Sequence, residues 1–150
     1  TEKNHLAALK TLPDAAELLE FLQAARVPVG LVSNKRHEFL VREVAHLGWD
    51  DYFGAVVGAG AAAKDKPAAD PLILALSRCG LIPGPDIWYV GDSETDMLTA
   101  RAAGCAAILV RHNHDNAHLV ERFTPEGVFD DCRNLQNSLV FCRMGLKKKD

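Results

Sequence analysis

The sequence predicts an α/β domain: a Rossmann-like parallel sheet with helices on both faces. Two observations carry that expectation. Short apolar runs of strand length, at 27–32, 55–57, 87–90 and 106–110, alternate with segments whose apolar residues recur at the helical period. The longer runs are continuously apolar, as in strands covered on both faces of a parallel sheet. With 150 residues the chain is one domain by size, long enough to bury ~70% of its unfolded surface.

The elements follow in order. Leu6, Leu9 and Leu12 precede Pro13-Asp14, and residues 1–12 read as a helix end or linker. Pro13 and Asp14 are start signals for a helix with Ala15, Leu18, Leu19, Leu22 and Ala25 on one face. Residues 27–32 read as a strand buried on both faces and closing on Ser33-Asn34-Lys35. A helix is expected over 36–47, with Leu40, Val41, Val44 and Leu47 on one face and Gly48 as its stop. Trp49, Tyr52 and Phe53 lie in a connector expected to carry aromatics into the core, ahead of a short strand at 55–57. Residues 58–67, rich in glycine and alanine and holding Lys64 and Lys66, form a loop able to approach a ligand closely.

Pro67 and Pro71 open the next helix, in which Leu72, Ile73 and Leu76 are expected to be buried, and Gly80 follows its end. Pro83-Gly84-Pro85 breaks the chain before Ile87-Trp88-Tyr89-Val90, a strand that stops at Gly91. A helix carrying Met97, Ala100 and Ala103 takes over, and Gly104 ends it. A buried strand at 106–110, a polar loop at 111–116, a helical turn at 119–123, a short strand at 127–129 and a closing helix at 135–142 complete the domain.

Composition narrows the partners. The net charge of −3 and the lack of a basic face argue against nucleic acid, and Lys147-Lys148-Lys149 reads as a solvated, frayed end. No apolar stretch approaches the ~18 residues of a membrane span, and no signal peptide opens the chain. Cys79, Cys105, Cys132 and Cys142 contain no CxxC and read as reduced thiols of a cytoplasmic protein. Because the chain opens at Thr1, it reads as a fragment or processed product.

Three features fall at the carboxyl edge of such a sheet, where open α/β folds bind ligands. Ser33 ends one strand, Asp92 ends another with Asp96 four residues on, and Lys66 sits in a loop entering a helix. Together they outline a phosphate site: a hydroxyl near backbone N–H groups, a fixed cation, and two carboxylates suited to Mg²⁺. Taken singly each has an ordinary explanation, namely turn chemistry for Ser33-Asn34, solvation for Lys66 and helix capping for Asp92. Their order and spacing are the specific signal.

Val29-Gly30-Leu31-Val32-Ser33-Asn34-Lys35, then Lys66-Pro67-Ala68-Ala69-Asp70-Pro71-Leu72, then Tyr89-Val90-Gly91-Asp92-Ser93-Glu94-Thr95-Asp96 with Ala102-Ala103-Gly104, closely resemble the second, third and fourth motifs of the haloacid dehalogenase superfamily. The likeness covers about 12–129 and is nearest to the phosphoglycolate-phosphatase-like branch. It implies that Ser33, helped by the Asn34 backbone, binds a phosphoryl oxygen and that Lys66 neutralises charge between nucleophile and phosphoryl group. Asp92 is implied to bind Mg²⁺, directly or through water, with Asp96 supporting the metal site. The implied reaction is hydrolysis of a small phosphomonoester through an aspartyl phosphate. A phosphomutase would share the same core residues.

One motif departs. The family's nucleophile and acid/base lie in an Asp-x-Asp at the end of an apolar strand, and no Asp-x-Asp occurs in this sequence. The resemblance puts that strand upstream and central, between the strands ending at Ser33 and Asp92, with a helical cap between it and the serine motif. Residues 1–12 are then the end of the cap and its linker, 13–143 a partial core, and 144–150 a basic tail. The natural protein is expected to be longer, and the chain alone inactive. The competing expectation is an inactive fragment, or a module binding phosphate or a protein partner. Neither the particular ester nor the oligomeric state is legible.

Other residues have plainer readings. His112, His114 and His118 have a spacing that no second cluster completes for zinc, and they read as a polar loop near the substrate side. His37 reads as a first-turn helix residue, and Glu94 as a solvated acid in the turn.

Overall fold

The computed structural model describes residues 14–111 and 116–139. Its elements are α1 (Ala15–Ala24), β1 (Gly30–Arg36), α2 (His37–Leu47), a 3-10 turn (Asp50–Tyr52), β2 (Ala55–Ala59), α3 (Asp70–Arg78), β3 (Trp88–Gly91), α4 (Glu94–Ala103), β4 (Ala106–Val110), α5 (His118–Phe123) and β5 (Gly127–Phe129). A last helix, α6, occupies 132–139. Every described strand pairing is parallel, with helices packed on the strands, so the α/β class is as expected. The readings for residues 1–12, for His112 and His114, for Cys142 and for the basic end lie outside the described residues.

The strands form two sheets, β1–β2 and β3–β4–β5. They part between β1 and β3, the place that the resemblance assigns to the absent central strand. Burial follows pairing. All five residues of β4, which has a neighbour on each side, are buried. In β1, paired on one side only, none is buried, and in β3 only Tyr89 is. Val27 is 46%, Trp88 40% and Val90 42% exposed. The strand read at 27–32 as doubly buried therefore starts later, runs on through Ser33 to Arg36, and is only half-covered, because burial of a parallel strand needs neighbours on both edges and layers on both faces.

Two apolar clusters flank the larger sheet. Leu72 and Leu76 of α3, Met97 and Ala100 of α4 and Leu119 of α5 pack with Tyr89, Ala107 and Leu109 on one face. Leu135 of α6 and Leu18 of α1 pack with Ala106, Ile108 and Val110 on the other. Helix α3 serves both sheets, since its Ala75 meets Ala55 and Val57 of β2 while Leu72 and Leu76 turn to the β3–β4 face. Burying Leu72 and Leu76 stabilises the fold by about 1.5 to 3 kcal/mol each, and apolar contact through α3 is one of the links that hold the two sheets in one body.

Some side chains lie elsewhere than expected. Val41 and Ile73 are 42% and 45% exposed. Each follows a buried residue, and a helix turns about 100° per residue, so the neighbour of a core position points aside. Trp49, Tyr52 and Phe53 are half-buried around the 3-10 turn and stay out of the core, with the Tyr52 hydroxyl donating to Glu20. Helix α3 begins at Asp70, later than Pro67, with Pro71 in its first turn. Cys79, Cys105 and Cys132 are free thiols, and burial pushes Cys105 and Cys132 above their usual pKa.

Candidate functional site

The site is assembled where the carboxyl ends of β1 and β3 meet the loop before α3. Ser33 is half-buried in β1, and its Oγ accepts a hydrogen bond from Lys35 N–H at 3.1 Å. That contact uses the oxygen as acceptor and leaves the hydroxyl proton able to donate outward. Beside it the Lys35 ammonium pairs with Glu43 of α2 at 3.1 Å, where Glu43 is 1% exposed.

Asn34 reaches across to the loop. Its Nδ2 donates to Lys66 O and its Oδ1 accepts from Lys66 N–H, each at 3.2 Å, a two-point clamp on one residue's backbone. Within the loop, Asp65 Oδ1 accepts from Gly60 N–H at 2.9 Å. The lysine is thus held at its main chain by β1. Its side chain points the other way, to the second sheet, where Nζ donates to Tyr89 Oη at 3.1 Å and to Asp96 Oδ1 at 2.5 Å. Both ends of the Lys66–Asp96 ion pair are about nine-tenths buried, with side chains 9% and 10% exposed. Burial, reinforced by the Asp96 charge, pushes the Tyr89 phenol far above its usual pKa, so it stays neutral beside the pair.

The turn from β3 into α4 has its own wiring. Ser93 caps the helix: its Oγ accepts from Asp96 N–H at 3.2 Å, while Asp96 Oδ2 accepts from Ser93 N–H, Ser93 Oγ–H and Asp92 N–H at 3.3, 2.9 and 3.1 Å. Gly91 makes room for this, because a Cβ there would overlap the Asp96 side chain. On the far side, Asn116 Nδ2 donates to Asp92 O at 2.9 Å and to Val110 O at 3.0 Å.

The structure therefore brings Lys66, Asp96, Asp92 and the Asn34 clamp into one constellation, with Ser33 adjacent in β1. Asp96 has partners on both carboxylate oxygens, so its observed work is to brace Lys66 and close the turn. Asp92, half-buried at the strand end, has its N–H held by Asp96 and its C=O by Asn116. Mg²⁺ takes hard oxygen ligands, often one or two carboxylates with several waters, and Asp92 suits one such position. Among the described residues no group of three or more His, Cys, Asp or Glu side chains can hold a metal ion, so further ligands would have to come from elsewhere.

Three participants escaped sequence reasoning in these roles: Tyr89, Ser93 and Asn116. Ser93 had a legible signal, since Ser-x-x-Asp before a helix is a capping-box pattern. Tyr89 carried only its place in a strand, and Asn116 only its place at the end of a polar loop. His118 is an exposed residue at the start of α5, and Glu94 pairs with Arg122 on the surface.

Known proteins share this chain's fold and sequence pattern. A family model described as haloacid dehalogenase-like hydrolase matches residues 1–110. The phosphoglycolate phosphatases of Escherichia coli K12 and Salmonella choleraesuis are 32% and 31% identical over 127 residues, which is 85% of this chain and 50% of each relative. The chain thus spans about half the length of those curated relatives. Among solved structures, a hydrolase of the same superfamily from Ehrlichia chaffeensis matches with TM-score 0.75 at 27% identity, over 86% of this chain and 57% of that one. A subfamily IA hydrolase from Geobacter sulfurreducens PCA matches with TM-score 0.70 at 25% identity, over 84% of this chain and 59% of that one.

Proposed function

The chain belongs to the haloacid dehalogenase-like hydrolase family, and from that premise we propose that it supplies the phosphoryl-binding and metal-binding half of a Mg²⁺-dependent phosphatase acting on a small phosphomonoester. The observation that most supports this reading is Lys66, clamped by Asn34 at its backbone and by Asp96 at its amine, so that a buried positive charge is fixed between β1 and the turn that carries Asp92. A preorganised cation of this kind stabilises charge on a transferring phosphoryl group without reorganising during the reaction. Ser33 donates its free hydroxyl proton to a phosphoryl oxygen, with the Asn34 backbone N–H in support. Asp92 holds Mg²⁺, which when bound offsets phosphoryl charge, and Asp96 keeps Lys66 and the turn in place. Residues 13–143 form the core in this reading.

The reaction also needs a carboxylate nucleophile, and the sequence has no Asp-x-Asp to provide it. In the proposed scheme such a carboxylate attacks phosphorus, the P–O bond to the substrate alcohol breaks, and the alcohol leaves with a proton from the second carboxylic acid of the family's Asp-x-Asp, which later takes a proton back from the attacking water. Water then hydrolyses the acyl phosphate to inorganic phosphate and restores the carboxylate. Phosphoglycolate is the first ester to try, given the relatives' names. A phosphomutase would use the same core.

Phosphate release from a panel of phosphomonoesters by the natural gene product, with and without Mg²⁺, tests the scheme. Mg²⁺-dependent release that Lys66→Ala and Asp92→Asn each abolish is the expected result, and activity indifferent to Asp92→Asn overturns the metal assignment. The absent nucleophile also favours a second reading, a non-catalytic module that binds phosphate or a protein. Turnover by the pure 150-residue chain would exclude it and require another nucleophile.

A further inference from the structure

We propose that His37 is a positioning residue: in its neutral form it closes the arch of β1 that carries Ser33 and Asn34, and its protonation loosens the Asn34 clamp on Lys66. The arch shows in the strand register. Val32 pairs with Val57 and Arg36 with Ala59, so Ser33, Asn34 and Lys35 all stand opposite Gly58 alone. A bulge of this kind breaks the ladder locally and re-aims the side chains within it. Here it carries Asn34 to both main-chain groups of Lys66, each at 3.2 Å. Gly58, buried in β2, is the floor beneath the arch, since a Cβ there would overlap the His37 backbone and stand 2.7 Å from Lys35 O.

The tie at the far end of the arch depends on protonation. Gly58 N–H donates to His37 Nδ1 at 3.0 Å, and the ladder itself resumes only at Arg36, the last residue of β1. A neutral imidazole has one acceptor nitrogen, so this contact puts the ring proton on Nε2. An imidazolium donates from both nitrogens and accepts at neither, so protonation removes the bond in either ring orientation. Helix α2 packs on β1 and β2. Strand β2 has no titratable side chain, and β1 has Lys35 and Arg36, which pair with Glu43 and Glu38 of α2. Arg42 of α2 lies over Phe39, and His46 sits at the opposite end of that helix. In the loop after β2, Lys64 is exposed and Asp65 accepts from Gly60 N–H. Among the described residues no carboxylate forms an ion pair with His37 that would hold its charged form in place.

The test follows the whole chain by ¹⁵N–¹H spectra and hydrogen exchange across the titration of His37. In the wild type the neutral ring is expected as the Nε2–H tautomer, with the Gly58 and Lys66 amides shifting at the midpoint of the ring itself. Protection of the Gly58 amide against exchange should fall about fivefold on protonation, as for the loss of one hydrogen bond, and that of the Lys66 amide should fall with it. His37→Asn, whose Oδ1 takes the place of Nδ1 without titrating, should keep both amides protected through the same pH range. His37→Leu, with no acceptor, should leave both poorly protected at every pH. A neutral wild-type ring found as the Nδ1–H tautomer overturns the proposal, and that measurement needs no variant to fold. So does a Lys66 amide that ignores the His37 midpoint, which would make His37 a tie for β2 alone. A Lys66 amide that still shifts at that midpoint in His37→Asn overturns it as well.

Discussion

Lys66 Nζ and Asp96 Oδ1 lie 2.5 Å apart across 30 residues of sequence, and this contact joins the loop held by β1 to the turn that follows β3. No strand ladder links β1 to β3 among the described residues. The ion pair and the apolar face of α3 do that work instead.

The two partners differ in what they leave behind. Asp96→Asn strands the Lys66 ammonium in a nine-tenths buried position and is expected to destabilise the fold by about 3 kcal/mol. Lys66→Met is expected to be milder, because Asp96 keeps three donors at the turn. Denaturant melts of both variants and the double mutant measure the difference, and equal losses would refute it.

Gly91→Ala is expected to be among the worst single changes in the chain. The new Cβ would overlap the Asp96 side chain and push it from Lys66 and from the cap together. A loss of more than about 3 kcal/mol is expected, and a near-neutral melt would contradict the tight approach. Gly58→Ala is expected to act likewise on the smaller sheet, where the Cβ would meet the His37 backbone and stand 2.7 Å from Lys35 O.

Asn34→Ala removes both hydrogen bonds to the Lys66 backbone, which are exposed to solvent. The stability change is expected to be small, about 1 kcal/mol. The local effect is larger: hydrogen exchange at the Lys66 amide should accelerate well beyond that of core amides in β4. Equal protection in variant and wild type would show that the clamp is not what holds the loop.

Glu126 carries a pH dependence. The Arg101 guanidinium, then the Ala107 N–H, hold its carboxyl below the usual 4.5. A depressed carboxylate contributes stability above its unfolded pKa, and that contribution is lost as the pH falls through the folded value. Glu126→Gln is therefore expected to flatten the melting-temperature profile below the ordinary carboxylate range and to leave the slope above it alone. Parallel acid limbs for the two proteins would rule this out.

Much of the molecule was legible from local pattern. Strand runs, helical periods and stop glycines are short-range features, and Gly48 and Gly104 end their helices with φ of 72° and 73° as a left-handed terminus requires. The ordered set Ser33, Lys66, Asp92 and Asp96 was legible as residue types in a fixed order and spacing, although the structure puts Ser33 in the middle of β1 where the pattern had it ending the strand. The sequence by itself thus determined the fold class and the family, and marked where a central strand is wanting. Only the tertiary structure decided that the sheet divides there, that Asp96 turns both oxygens inward to Lys66 and the cap, and that Tyr89 and Asn116 join the site. Those choices depend on which groups meet across 24 to 32 residues of intervening chain, where hydrogen-bond geometry and burial act and local propensity does not.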